Sequence, residues 1–127
     1  MSVAYLDTHA AVYLHDGAVE EFSKEAKRQI EANDLLISPM VLFELDYLFR
    51  RKRVSSTAKD MLTTLSADFG VTLCQLPFAK VAYEALNITW TTDPFDRLIV
   101  AQAGANRSAL LITRDRLIRR HYPNAAW

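Results

Sequence analysis

Apolar residues recur along this chain in two rhythms: short unbroken runs, and stripes spaced three and four residues apart. The runs at residues 3–6, 35–38, 71–76 and 109–112 predict four strands with both faces buried. The stripe Ala10, Ala11, Val12, Leu14 predicts a helix stopped by Asp16-Gly17. Val19, Phe22, Ala26 and Ile30 predict one more helix, with Glu20 and Glu21 in its first turn, Lys27 and Arg28 further along, and a break at Asn33-Asp34. Pro39 opens a strongly apolar helix running to about Lys52. Ser55 or Ser56 caps another, striped by Ala58, Met61, Leu62, Leu65 and Phe69 and stopped at Gly70. Phe78, Val81, Ala82 and Ala85 predict a helix before a polar link, and Asp93-Pro94 caps and opens the next. After the fourth strand come a turn at residues 113–115, a short helix over 117–122, and an edge strand in 125–127.

Strands alternating with helices imply an α/β domain in three α/β/α layers, with a central parallel sheet covered on both faces. The 127 residues suffice for one domain, residues 1–127, with a substantial core. No repeat, linker or low-complexity stretch interrupts it. In such open sheets the ligand crevice lies beyond the carboxyl ends of the strands. Asp7 and Asp115 fall there, after the first and fourth strands.

Composition mostly excludes. Fifteen basic residues balance fifteen acidic ones, so nucleic-acid binding has no support from net charge and must come from local asymmetry. From Arg97 onward there are six arginines and a single acid, Asp115. A second basic cluster, Arg50 to Arg53, is read equally well as a helix end complementing its dipole. The lone Cys74 excludes an internal disulfide and a cysteine-based zinc site, and reads as a small buried strand residue. No apolar run is long enough to span a bilayer, and the amino terminus lacks the basic start of a secretory signal. The expectation is a cytoplasmic protein without membrane contact.

The candidate chemistry lies in four acids. Asp96 falls in the first turn of the helix opened by Asp93-Pro94, where a carboxylate is held rigidly at a positive helix mouth. Asp7 and Asp115 are each explained by helix capping alone, and Asp96 by a capping box with Asp93. Glu44 has no such excuse: its helical neighbours Met40, Val41, Tyr47 and Leu48 are apolar, so it needs a cation, an arginine or a metal. Asp46, with Arg50 four residues on, is an ordinary helix pair. Gathered at one sheet edge, four carboxylates would raise one another's pKa values unless a cation compensated them. Oxygen-only ligands select hard ions such as Mg²⁺ or Mn²⁺, which activate water and neutralise a phosphoryl group, chemistry suited to phosphodiester hydrolysis. Thr8 and Thr113 adjoin acids and are candidates for orienting them. His9 lies beside the acids, while His15 and His121 look peripheral, and no Ser-His-Asp or phosphate-loop signature appears. An aspartyl-phosphate phosphatase wants a second Asp where His9 stands, and a phosphoreceiver wants a lysine that residues 109–114 do not supply.

The stretches at residues 5–10, Ser38 with Glu44, residues 93–103 and residues 111–115 resemble the successive motifs of PIN-domain proteins, with a particular likeness to VapC-type toxins of bacterial toxin–antitoxin pairs. The resemblance covers essentially the whole chain and is most specific around Asp96. It implies a small ribonuclease in which Asp7, Glu44, Asp96 and Asp115 bind Mg²⁺ or Mn²⁺, with Asp93 close enough to help. It also implies a homodimer, and a cognate antitoxin that blocks the acidic pocket and is itself the DNA-binding component. With no appended domain in the sequence, the expectation is a small member rather than one of the larger eukaryotic PIN nucleases. An accessible, single-stranded or looped RNA is the expected substrate, with Arg97, Arg114 and Arg116 as candidate backbone contacts and Arg97 equally a candidate to brace an acid. The rival expectation is a non-catalytic PIN-like module that binds RNA or protein.

Overall fold

The computed structural model describes residues 2–127. Five strands form one sheet: β1 (Val3–Leu6), β2 (Asp34–Ile37), β3 (Thr72–Leu73), β4 (Leu110–Ile112) and β5 (Ala125–Ala126). Seven helices flank it: α1 (Thr8–Asp16), α2 (Lys24–Ala32), α3 (Pro39–Arg50), α4 (Ala58–Phe69), α5 (Phe78–Ala85), α6 (Pro94–Ala105) and α7 (Arg116–His121). The strand order is β3-β2-β1-β4-β5 and every pairing is parallel, so the layers are α/β/α. The first strand of the chain is therefore the central one. Tyr5 pairs with Leu36 on one side and Leu111 on the other. Chain order reverses beside β1, and the crevice at that switch point is where open sheets bind ligands.

The core is built on this central strand: Ala4, Tyr5 and Leu6 are buried with Ile37, Leu111 and Ile112 of its neighbours and with Leu45, Met61 and Leu65 of the covering helices. Among the described residues no helix is long and apolar enough to cross a membrane.

Local chemistry sets the helix starts. Asp7, Ser23, Ser38, Thr57, Asp93 and Asp115 each take a backbone N–H of the first turn on a side-chain oxygen. This revises three expectations. Ser23 caps α2, so the stripe from Val19 splits into a 3₁₀ turn, Val19–Glu21, and a helix starting at Lys24; Glu20 and Glu21 sit in the turn, and Glu25 is the acid of the first helical turn. Thr57, not Ser55 or Ser56, caps α4. Ser38 leaves the second strand to cap α3, and its hydroxyl donates to Gln102 Oε1 at 3.1 Å, tying α3 to α6. The third strand keeps only two residues of the expected six. It lies on the sheet edge, Cys74 N makes one more bond to Ile37 O at 2.9 Å, and Pro77 then starts α5. Gly17 and Gly70 end α1 and α4 with φ of 67° and 69°, a conformation that glycine adopts without penalty.

Candidate active site

The carboxyl ends of β1 and β4 turn directly into helices, and both turns carry an acid. Asp7 N still belongs to the sheet, donating to Ile112 O at 3.1 Å. Its carboxylate is buried and doubly held: Oδ1 accepts from Ala10 N at 2.9 Å, and Oδ2 accepts the hydroxyl of Thr113, the residue just past β4. The same Thr113 oxygen accepts from Asp115 N at 3.1 Å, and Asp115 Oδ1 accepts from Ile118 N at 2.9 Å. Burial nevertheless pushes the Asp7 carboxyl above its ordinary value. One threonine thus positions the acids at both strand ends.

Thr8, the buried first residue of α1, donates its hydroxyl to Glu44 Oε1 across the gap to α3. Glu44 is partly buried, has no basic partner among the described residues, and is raised by that burial. Its surroundings differ from the expected apolar face. Tyr47 is exposed and Met40 only partly covered, so Glu44 lies at the edge of the core, where a cavity opens. Asp46 pairs with Arg50 at 2.8 Å as its spacing predicts.

At the mouth of α6, Asp93 Oδ1 accepts from Asp96 N at 3.1 Å, but the reciprocal bond of a capping box does not form, because Asp93 N is taken by Thr91 Oγ1 at 3.2 Å. The Asp96 carboxylate therefore has no hydrogen-bond donor among the described residues. Burial and the neighbouring charges of Asp93, Asp115, Glu44 and Asp7 push it up to about 7.

All four predicted acids and Asp93 line a single cavity of about 420 Å³, with Thr8, His9, Tyr13, Arg114 and the apolar floor residues Ile99 and Ile118. Among the described residues no group of three or more His, Cys, Asp or Glu side chains is drawn close enough to hold a metal ion by itself. The donor set is all oxygen, its charge is unpaired, and Asp96 lacks any protein donor. Such a set fits a hard cation that keeps part of its water shell, as Mg²⁺ does, rather than one gripped on all sides.

The three arginines separate. Arg114 lines the cavity, donating to Glu21 Oε2 at 2.8 Å and Tyr13 Oη at 3.4 Å. Arg97 turns away and neither contacts the cavity nor braces an acid. Its guanidinium donates to the carbonyls of Ala85, the last residue of α5, and of Ile88, three residues on, both at 3.1 Å, tying the segment that leaves α5 to α6. Arg116 is exposed outside the cavity. Tyr13 is a site residue that the sequence reading missed. Its signal is helical spacing, since it lies four residues beyond His9, which also lines the cavity. Cys74 is buried, as expected, just past its strand and against Tyr5 Oη at 3.0 Å.

Comparison with known proteins adds to this geometry. The sequence profile of the PIN domain matches residues 4–122. The fold is similar to that of VapBC2 from Rickettsia felis, solved bound to a DNA fragment from its promoter: TM-score 0.68, 20% identity, 97% of this chain and 95% of that one covered. It is also similar to a toxin–antitoxin complex from Klebsiella pneumoniae (0.66, 19% identity, 98% and 96% covered). DNA-bound VapBC from Salmonella typhimurium gives 0.63 at 18% identity, with 98% and 96% covered. No curated protein matches the sequence significantly.

Proposed function

The chain belongs to the PIN domain family, and from that premise we propose that it is a Mg²⁺- or Mn²⁺-dependent endoribonuclease, the toxin of a toxin–antitoxin pair. The observation that carries this reading is the Asp96 carboxylate, partly buried among four other acids of one cavity with no donor and no cation beside it. A structural carboxylate is normally paired or hydrogen-bonded.

Asp7, Glu44 and Asp96 would hold the ion, with Asp115 on the same cavity wall as a further oxygen donor. A bound Mg²⁺ or Mn²⁺ supplies an acidified water and neutralises charge on the phosphoryl group. Thr113 fixes the direction of the Asp7 carboxylate, and Thr8 that of Glu44, so two ligands are oriented before substrate arrives. Asp93 holds the mouth of α6 in place by capping it. Arg114, the basic residue lining the cavity, would meet a neighbouring RNA phosphate after releasing Glu21.

We further assign the chain a cognate antitoxin that enters the acidic cavity, a homodimeric state, and contact with DNA only through that antitoxin. The antitoxin and its DNA contact draw support from the complexes that share this fold and from the same uncompensated charge, which a guanidinium would satisfy, while the homodimer rests on the family resemblance alone. The rival, a binding module without catalysis, draws on the lack, among the described residues, of any three acids or histidines drawn together closely enough to hold a metal. The two separate on purified protein incubated with RNA and Mg²⁺ or Mn²⁺. Cleavage that stops with chelator and in folded Asp7→Asn supports the nuclease; RNA left intact with both ions overturns it.

A further inference from the structure

On α3, next to Glu44, two aromatic side chains stay out of the core: Phe43 is 61% exposed and Tyr47, one turn on, 46%. Phe95, between Asp93 and Asp96, brings its ring to 6.3 Å from that of Phe43 and 5.8 Å from that of Tyr47, tilted at 38° and 43°. Single exposed aromatics are common and need no explanation. Three rings from two helices, gathered at the lip of an acidic cavity, do need one. One turn beyond Tyr47, the Arg51 guanidinium lies 5.7 Å from the Tyr47 ring centre and donates to Tyr47 Oη at 3.3 Å. Arg53 joins both in lining a small adjoining hollow. From Glu44 to Arg51 is about 10 Å along the helix. Within that distance the surface passes from carboxylates to aromatic rings to cations.

We propose that Phe43, Phe95 and Tyr47 form a stacking platform for bases of a single-stranded RNA beside the scissile bond, with Arg51 holding the next phosphate. The order of chemistries selects this occupant. A single strand presents base faces between regularly spaced phosphates, and both are met here in sequence. A duplex hides its base faces, and an apolar protein segment has no use for cations at one end and a cation-demanding pocket at the other. The proposal rests on the RNA reading above and adds which part of the surface sets its preference for unpaired RNA.

The test uses the whole chain with Asp96→Asn to halt turnover, in Mg²⁺, and a fluorescein-labelled unstructured ten-nucleotide RNA read by anisotropy. Phe43→Ala should weaken binding about five- to 150-fold, the loss of one stacked base, with an unchanged melting temperature. Phe43→Trp should restore it, and a duplex of the same sequence should bind equally to all three. Arg51→Ala should flatten the salt dependence. In the otherwise unmodified enzyme, Phe43→Ala should raise KM for RNA and leave kcat in place. RNA bound and cleaved with no change in Phe43→Ala, Tyr47→Ala or their double variant overturns the platform alone and leaves the strip to a protein partner. RNA neither bound nor cleaved overturns the platform together with the nuclease reading. Binding that depends on Phe43 without cleavage keeps the platform and removes only the catalysis.

Discussion

At the amino rim of the sheet, Ser2 donates to Asn33 Oδ1 at 2.6 Å, Asn33 donates on to Gln29 O and Oε1 at 2.8 and 3.0 Å, and Asn124 donates to Ser108 O at 2.5 Å. At the carboxyl rim, five carboxylates share a cavity with one arginine, and Asp96 has no donor at all. The hollow at the amino rim is the larger, about 700 Å³ against about 420 Å³. Apart from Arg107, whose cation is exposed to solvent, its polar side chains are neutral amides and hydroxyls, hydrogen-bonded as above, and no charges are crowded together there. Volume therefore does not select the functional end of this sheet; uncompensated charge does.

The comparison breaks most sharply through the acids. Asp96→Asn should lower RNA cleavage by more than a hundredfold, beyond what loss of an outer positioning group costs, while circular dichroism stays native. Retained cleavage would remove Asp96 from the chemistry. Thr113→Val, which deletes the hydroxyl holding Asp7, should cost about 10–100-fold in cleavage and about 1–3 kcal/mol in stability by denaturant titration, because a buried carboxylate loses a donor.

Next comes pH. Asp96 is raised from 3.8 to about 7, so between those values the folded protein holds a proton that the unfolded chain has released. Without divalent ions, stability should then fall as pH rises from about 4 to 7 and level off above. Solvent screening of this half-exposed group reduces the effect to about 1 kcal/mol, a melting shift of about 4 °C. Asp96→Asn should remove its share of that slope and leave the part owed to Asp7 and Glu44, whose carboxyls burial also raises, and Mg²⁺ should restore stability at pH 7.5 only where Asp96 is present. The smallest effect belongs to the other rim. Asn33→Ala should cost about 1 kcal/mol of stability and leave cleavage within about twofold.

The central strand, the helices and the parallel sheet were legible because hydrophobic period and strand length carry them, and Gly17, Gly70 and Pro39 mark boundaries by backbone chemistry alone. The divided α2 and the choice of Thr57 over Ser55 were not, since several neighbouring hydroxyls can cap and only tertiary context picks one. Asp7 and Asp115 could be placed from the strand ends and Asp96 from the mouth of α6, whereas Glu44, in the middle of α3, was joined to them only by its lack of a partner and by the PIN resemblance. Where each arginine points did not follow. Arg97 stands beside Asp96 in sequence, yet its long side chain reaches the carbonyls of Ala85 and Ile88 instead. Spacing places a backbone position; it does not aim four rotatable bonds.

The bond from Thr113 to Asp7 joins residues 106 positions apart, and Asp7 N likewise waits for Ile112 O. During synthesis, then, the first strand emerges early yet lacks one of its two neighbours until almost all of the chain has followed. An incomplete polypeptide carries every acid but one in an unassembled state. A cell making this protein would meet the finished pocket only after β4 and the turn carrying Asp115 have been made, so the acids stay apart through most of the synthesis of this domain.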